Sequence, residues 1–415
     1  MAIKLATWNL EWFGQLLQGK TRTIPTLSRP VDTAEGRARQ KLERQQIATE
    51  IRLVNPDILC MQEGPSTTRV ELLRAFCDDD LGGEWRVIER GPTDRGGYRV
   101  RGAQGIWFLV RSSRMQELSP ALLPQESWQE ATEYESRHWP EQPGEHAKKW
   151  PIVHPWFKPK QPDPEDDFGE GDPPIDLFEN EHSHFRWPQT LVCTIAGKRF
   201  DLIGVHLKSK FSKSNYAKAG KAVRKPPDER TRADKKLILA VEQEAVEARV
   251  KISTEIVNIR YFIENRFRGE PHPAIFVMGD MNDGVGKEYF ERRMLFHDLI
   301  SNLQGDVFFA RQFLNHALFD YMMEDGSAYR WSTEFEDAWE PGVDARILID
   351  HIMFTQAVVG AKAMDTIGLQ VKSKAGQVEH AAHVAANTPL AGTGGHTSDH
   401  RPVSVVVSTR EDAVA

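Results

Sequence analysis

Cysteine is scarce in this chain: only Cys60, Cys77 and Cys193 occur in 415 residues. The number is odd, no CxxC spacing occurs, and each cysteine has apolar neighbours. That argues against a disulfide framework and for buried thiols in a reducing, cytoplasmic compartment. Long apolar runs are also lacking. None reaches the roughly 18 residues that cross a bilayer, so no membrane span is expected. The first residues, MAIKLATWNLEWFG, show no basic segment followed by an apolar stretch; they read as a β-strand, and no signal peptide is expected. A P-loop, a dinucleotide fingerprint, internal repeats and heptads are all missing.

What is present is an uneven charge. The net charge is −7, which does not suit a general nucleic-acid coat protein. Yet Lys198–Lys236 holds 13 Lys/Arg against 4 Asp/Glu, and Glu126–Glu181 holds 5 against 15. A positive block on a negative protein is a candidate polyanion site. A solvated helix-loop face balanced by the acidic block explains the same numbers.

Periodicity gives single strands and hairpins between helices. Strands are expected at Ile3–Leu10, Asp57–Gln62, Trp85–Ile88, Gly105–Val110, Thr190–Ile195, Phe200–Leu207, Ala274–Met278, Ile347–Phe354 and Val403–Val407. Helices are expected over Thr33–Val54, Thr67–Phe76 and Asp234–Phe267, the last with Ile252, Ile256, Ile259 and Ile263 at helical spacing. Ser112–Arg186 is Pro-rich, acidic and aromatic, which predicts an insertion without regular helix or central strand. The class is α/β (α+β) with mixed sheets.

The strand ends carry a chemical regularity. Asn9 and Glu11 end the first strand and Glu63 the second. His206 lies near the end of LIGVHLKSK, Asp280 and Asn282 end IFVMGDMND, Asp350 closes RILID, and Asp399-His400 opens the last strand. Taken singly, each reads as a cap, turn or core residue. Together they favour one site at one rim of a sheet. The order TWNLEWF, QEG, HLKSK, GDMND, ILIDH, SDHRPV resembles the endonuclease/exonuclease/phosphatase superfamily, and HLKSK is similar to its bacterial nuclease-like members. The resemblance covers the chain as one domain (1–415), interrupted by insertions at 112–186 and 209–232. It implies a four-layer sandwich of two packed mixed β-sheets flanked by helices, and metal-dependent cleavage of phosphate esters. It further implies a Mg²⁺ or Mn²⁺ held by Glu63 and Asp399, with Asn9 and Asn282 on the metal or the phosphate. Asp280 would activate the attacking water, His400 would donate to the phosphate while Asp350 orients its ring, and His206 would make a second phosphate contact. Strand alternation turns His351 away from Asp350, which makes His351 structural.

Several residues keep two readings. Glu11 is either a further ligand or a rim acid. Arg186 lies near substrate or pairs with the acidic insertion, and Lys208 and Lys210 contact flanking phosphates or only solvent. EHAAH is not the HExxH zinc pattern, so His380, His383 and His396 are expected on a mobile loop at the cleft mouth. The substrate reading favoured is a nuclease, with DNA ahead of RNA. The alternative is a phosphatase or phosphodiesterase for a small or lipid-linked ester, with Trp139, Trp150, Trp156, Phe157 and Trp187 as a lid or as packing. A binding module without catalysis is the third.

Overall fold

Apolar residues occupy both faces of the longer strands, so each sheet must be covered twice. A computed structural model of the protein describes residues 2–91, 104–136, 150–151, 181–182, 184–195, 198–210, 213–284, 289–290, 299–305, 312–321, 330–359 and 368–409. The first sheet is built from β1 (Ala2–Asn9), β2 (Ile58–Gly64), β3 (Trp85–Val87) and β4 (Gly105–Arg111). The second takes β5 (Ala121–Leu122), β6 (Gln189–Ile195), β7 (Lys198–His206), β8 (Ala274–Asp280), β9 (Asn315–His316) and β10 (Asp350–Phe354). The chain then returns to the first sheet with β11 (Leu369–Val378) and β12 (Val403–Thr409). The spatial orders are β11-β12-β1-β2-β4-β3 and β9-β10-β8-β7-β6-β5. Both sheets are mixed: β1–β2 and β7–β8 run parallel, while β1–β12 and β8–β10 run antiparallel.

Alternation along the strands makes the layers. Ile3 and Leu5 of β1 meet Phe200, Leu202, Phe276 and Met278 of the second sheet in the central core. Ala6 and Trp8 point the other way, onto Ile47, Ile51 and Val54 of the helix Ala34–Val54. On the far side, Ile203, Val205, Ile275 and Val277 pack against Ile252, Ile256, Ile259 and Ile263 of the helix Arg232–Gly269. The result is two mixed sheets flanked by helices, among them α1 (Ala34–Val54), α2 (Val70–Ala75), α3 (Gln125–Ser136), α4 (Lys213–Val223) and α5 (Arg232–Gly269). Thr33 caps the first of these helices by accepting from the Gly36 N–H, and Asn55 ends it at φ 54°, just before Pro56. No helix among the described residues is long and apolar enough to cross a membrane.

Four expectations need correction. Gln125–Ser136 is a helix inside the stretch expected to lack one. The prolines of that stretch sit at 120, 124 and from 140 onward, and leave this window free. Trp128 anchors the helix, stacked on Phe262 with ring centroids 4.3 Å apart. His380–Asn387 is a helix rather than a mobile loop, with His383 buried against Glu50 at 2.9 Å. Its four alanines favour a helix, but the segment is too short for its periodicity to stand out. The strand expected at Ile347–Phe354 breaks after Ile347 and resumes at Asp350. Leu369–Val378, not foreseen, is an edge strand whose exposed lysines and register shift hide its alternation. Trp139, Trp156 and Phe157 lie outside the described residues, whereas Trp187 is buried.

Candidate active site at the rim between the sheets

Register brings the polar strand ends together. Asp280 pairs with His206 on one side and with Asp350 on the other. All three share the parity of residues facing the central core, as does Asn9 at the end of β1. Glu63 does not. Strict alternation would turn it outward with Leu59 and Met61. Instead it sits at φ 59°, where the β2–β4 register shifts between Met61 and Gly64. This irregularity re-aims the carboxylate toward the rim. Glu11 (φ 36°), Trp12 (φ 55°) and Asn282 (φ 49°) are also left-handed. Such strain gathers where surrounding structure over-determines a geometry. Gly279 permits the approach of β7: a Cβ there would lie 1.9 Å from the Val205 carbonyl oxygen.

Side-chain contacts then bridge the two sheets. The Asn9 amide donates to Asp280 Oδ2 at 2.9 Å and lies 3.4 Å from Glu63 Oε1. Glu63 Oε2 accepts from the Trp12 N–H at 2.6 Å. His206 Nε2 stands 3.5 Å from Asp280 Oδ2 and 3.9 Å from Glu63 Oε1. Its Nδ1 is buried and has no hydrogen-bond partner among the described residues. His400 Nδ1 meets Asp350 Oδ2 at 2.7 Å, and its Nε2 lies 3.7 Å from Asp399 Oδ1. Asn282 is turned to support: its N–H donates to Asp280 Oδ1 and its side chain to the Leu207 carbonyl. Asp399 is the most open of the set, its side chain 34% exposed.

The electrostatics divide the cluster. Burial raises the pKa of Glu63 against the Trp12 N–H and the Arg186 charge. Burial and then the Asp350 charge raise that of Asp280. Burial works against a charge on His400, yet Asp350, Asp399 and Asp280 together hold its pKa well above the ordinary value. His206 moves the other way, lowered by burial, Arg186 and His400. The site thus pairs one imidazolium with several desolvated carboxylates and one neutral imidazole.

Asp280, Asp350 and His400 each place a ligand atom within 4.8 Å of the others, so this triad could hold a divalent metal. Two features compete with that arrangement: the short His400–Asp350 bond and the charge that Asp350 keeps on the ring, since a protonated imidazole offers no lone pair. The oxygens of Glu63 and Asp280 carry no such conflict, and beside them the Asn9 oxygen accepts from the Glu11 N–H at 3.0 Å while its amide nitrogen faces the two carboxylates. The two carboxylates form a buried, acidic, oxygen-rich set of the kind a hard cation prefers.

Residues without a sequence signal complete the frame. Ser332 donates to Asp350 Oδ2 at 2.6 Å and accepts from the N–H groups of Ile349 and Asp350. Ser398 donates to the Asn9 carbonyl and accepts from the His400 N–H. Arg22 reaches four carbonyls, of Leu10, Glu11, His396 and Thr397, and so joins the end of β1 to the segment before Asp399. Glu11 is held at the rim by Arg22 and His396. Arg186 is buried and donates to the carbonyls of His206 and Leu207 and to Gln104. Glu11 and Arg186 had been singled out in the sequence; of Ser332, Ser398 and Arg22, only Ser398 could have been noticed, as the first residue of SDH.

No family model and no curated protein matches the chain. Among solved structures it is similar to truncated Caenorhabditis elegans TDP2, at 12% identity over 99% of this chain and 98% of that one, with a TM-score of 0.42. It is also similar to the human Nocturnin catalytic domain with bound sulfate, at 14% identity over 99% and 95%, TM-score 0.42. An endonuclease/exonuclease/phosphatase family protein from Bacteroides thetaiotaomicron aligns at 12% identity over 99% of each chain, TM-score 0.43.

Proposed function

We propose that the rim cluster is the catalytic centre of a metal-dependent phosphodiester hydrolase acting on nucleic acid, with DNA as the favoured polymer. One observation carries this reading: the Asn9 amide ties Asp280 of one sheet to Glu63 of the other, beside the His400–Asp350 pair. Three buried carboxylates and an imidazolium meet there, and no core function requires them.

A Mg²⁺ or Mn²⁺ fits the oxygen donors, with Glu63, Asn9 and Asp399 holding it and Asp399 open to solvent. Bound there, the metal would neutralise phosphate charge. The chain supplies the remainder. Asp280, with its pKa raised, takes the proton of the attacking water. His400, kept charged by Asp350, donates to a phosphate oxygen. His206 offers a neutral ring whose Nδ1 is unsatisfied. Asn282 fixes Asp280 by its N–H. The whole chain, 1–415, acts as one catalytic domain, with 112–186 and 209–232 inserted into it. Three buried free thiols fit a reducing cytoplasm.

End-labelled single- and double-stranded DNA and RNA, incubated with Mg²⁺ or Mn²⁺ and with a chelator control, test the proposal. The expected result is metal-dependent cutting that Asp280→Asn and His400→Ala abolish. A folded wild-type protein that cuts no polymer but hydrolyses a small or lipid phosphate ester overturns the nucleic-acid assignment and leaves a phosphatase.

A further inference from the structure

We propose that the elbow between α4 (Lys213–Val223) and α5 (Arg232–Gly269) docks the phosphate backbone of a nucleic acid on its way out of the rim. This inference rests on the nucleic-acid reading above. Between Lys213 and Lys236 there are 9 Lys/Arg and 3 Asp/Glu on a protein of net charge −7. The charge is carried on a braced platform rather than a loose loop. Tyr216 of α4 stacks on Trp339 at 5.7 Å and donates to Asp337 Oδ1 at 2.6 Å, while Trp339 donates back to the Tyr216 carbonyl. Gly220 lies so close to Ala338 that a Cβ would stand 2.3 Å from its carbonyl oxygen. Arg224 donates to the same carbonyl.

The platform is linked to the rim by short stretches of chain. Lys213 follows His206 by seven positions, and Asp337 follows Thr333 by four. Thr333 donates to the Asp399 carbonyl. The elbow itself is closed by the Lys225–Asp234 ion pair at 2.8 Å, by Arg230 on the Val223 carbonyl, and by the Thr231–Asp234 capping box.

Five further cations are left over. Lys218, Lys221, Arg232, Lys235 and Lys236 are exposed and have no hydrogen bond or ion pair among the described residues. The acids of the same turn are Asp228 and Glu229, both exposed. A merely solvated helix face tends to set acids three or four places from its bases. Here like charges take those places: Lys218 with Lys221 in α4, and Arg232 with Lys235 and Lys236 in α5. Such spacing destabilises a helix, and a bound polyanion removes the penalty. An anionic membrane is the less suited partner, because Leu239 is the only large exposed apolar side chain among these positions and interfacial helices need an apolar face.

The 11 residues of α4 span roughly 16 Å at 1.5 Å per residue. A stacked strand advances about 3.4 Å along its axis per phosphate, so it needs some five nucleotides to run the length of the helix and reach the elbow. Length dependence is therefore the signature. The test compares the full chain with a Lys221→Glu/Lys235→Glu/Lys236→Glu variant. Fluorescence anisotropy follows labelled single strands of three and thirty nucleotides, without metal, across a salt series.

The expected result is at least a tenfold weaker affinity of the variant for the long strand, with a shallower salt slope and equal binding of the short one. Removing like-charge repulsion should leave the melting temperature unchanged or raised. Equal affinity and equal slope on the long strand overturn the proposal, as does a variant that loses only binding to phosphatidylserine vesicles. Charge-dependent binding of the long strand by a protein that cuts neither length would sustain the docking surface and refute the catalytic reading instead.

Discussion

The two faces of β10 place Asp350 and His351 side by side in sequence and on opposite sides in space. Asp350 faces the rim and meets His400, which it keeps charged against the cost of burial. His351 faces the α5 side, where it bonds to the Asp283 carbonyl at 2.8 Å and to His316 at 2.9 Å. There the sign is reversed: burial, His351 and Arg330 push the His316 pKa down to about 3. Both rings are buried, but carboxylates surround His400 whereas an imidazole and a guanidinium face His316, and the two pKa values move in opposite directions. Two adjacent residues thus separate the proposed chemistry from the framework.

Three experiments strain this contrast. The largest effect is expected at Asp280, where the change to Asn keeps the shape and removes the base. Activity should fall about a thousandfold, the scale of a lost general base, while thermal stability holds or rises because a desolvated carboxylate is gone. A residual rate above a tenth of wild type would remove Asp280 from the chemistry.

A smaller effect is expected from comparing Asp350→Asn with His351→Gln. The first should lower activity about a hundredfold and move the alkaline limb of the pH–rate profile down toward the ordinary histidine value of about 6.5. The second should keep most activity and cost about 1–3 kcal/mol of stability through its lost bonds. Equal activity losses in two folded variants would erase the distinction between the faces.

The smallest effect concerns pH and stability. His184 is 4% exposed, and burial lowers its pKa to about 4 despite the Glu255 charge and the Asn258 bond. The unfolded chain titrates this group near pH 6.5. Between those values the unfolded state binds the extra proton, so stability is complete above pH 6.5 and is lost as pH falls toward 4. The contribution is at most about 3 kcal/mol, and His316 adds in the same direction. Melting midpoints measured between pH 7 and 4.5 should fall, and fall less in His184→Gln. A parallel slope in that variant would contradict the assignment.

Much of this was legible in the sequence. Period-two apolar strands and the isoleucine stripe of Arg232–Gly269 placed the layers, because burial on both sides of a sheet leaves a readable pattern. Parity also separated Asp350 from His351. The hidden parts were those where local pattern does not fix position. Glu63 reaches the rim only through a left-handed residue at a register shift, and alternation predicts the wrong face. Ser332 and Arg22 join the site by tertiary contacts to backbone, which no spacing encodes. The helix at Gln125–Ser136 was masked by the composition of the longer segment around it.

The central claim is that these strand ends form one metal-loaded centre, and Glu63 is its most direct probe because its strained backbone serves no packing purpose. Cleavage of a labelled duplex should be followed across a Mg²⁺ titration for wild type and Glu63→Gln. The account predicts that the variant needs at least tenfold more metal or cannot be rescued, with its fold intact. A variant that cuts like wild type at every metal concentration would contradict it.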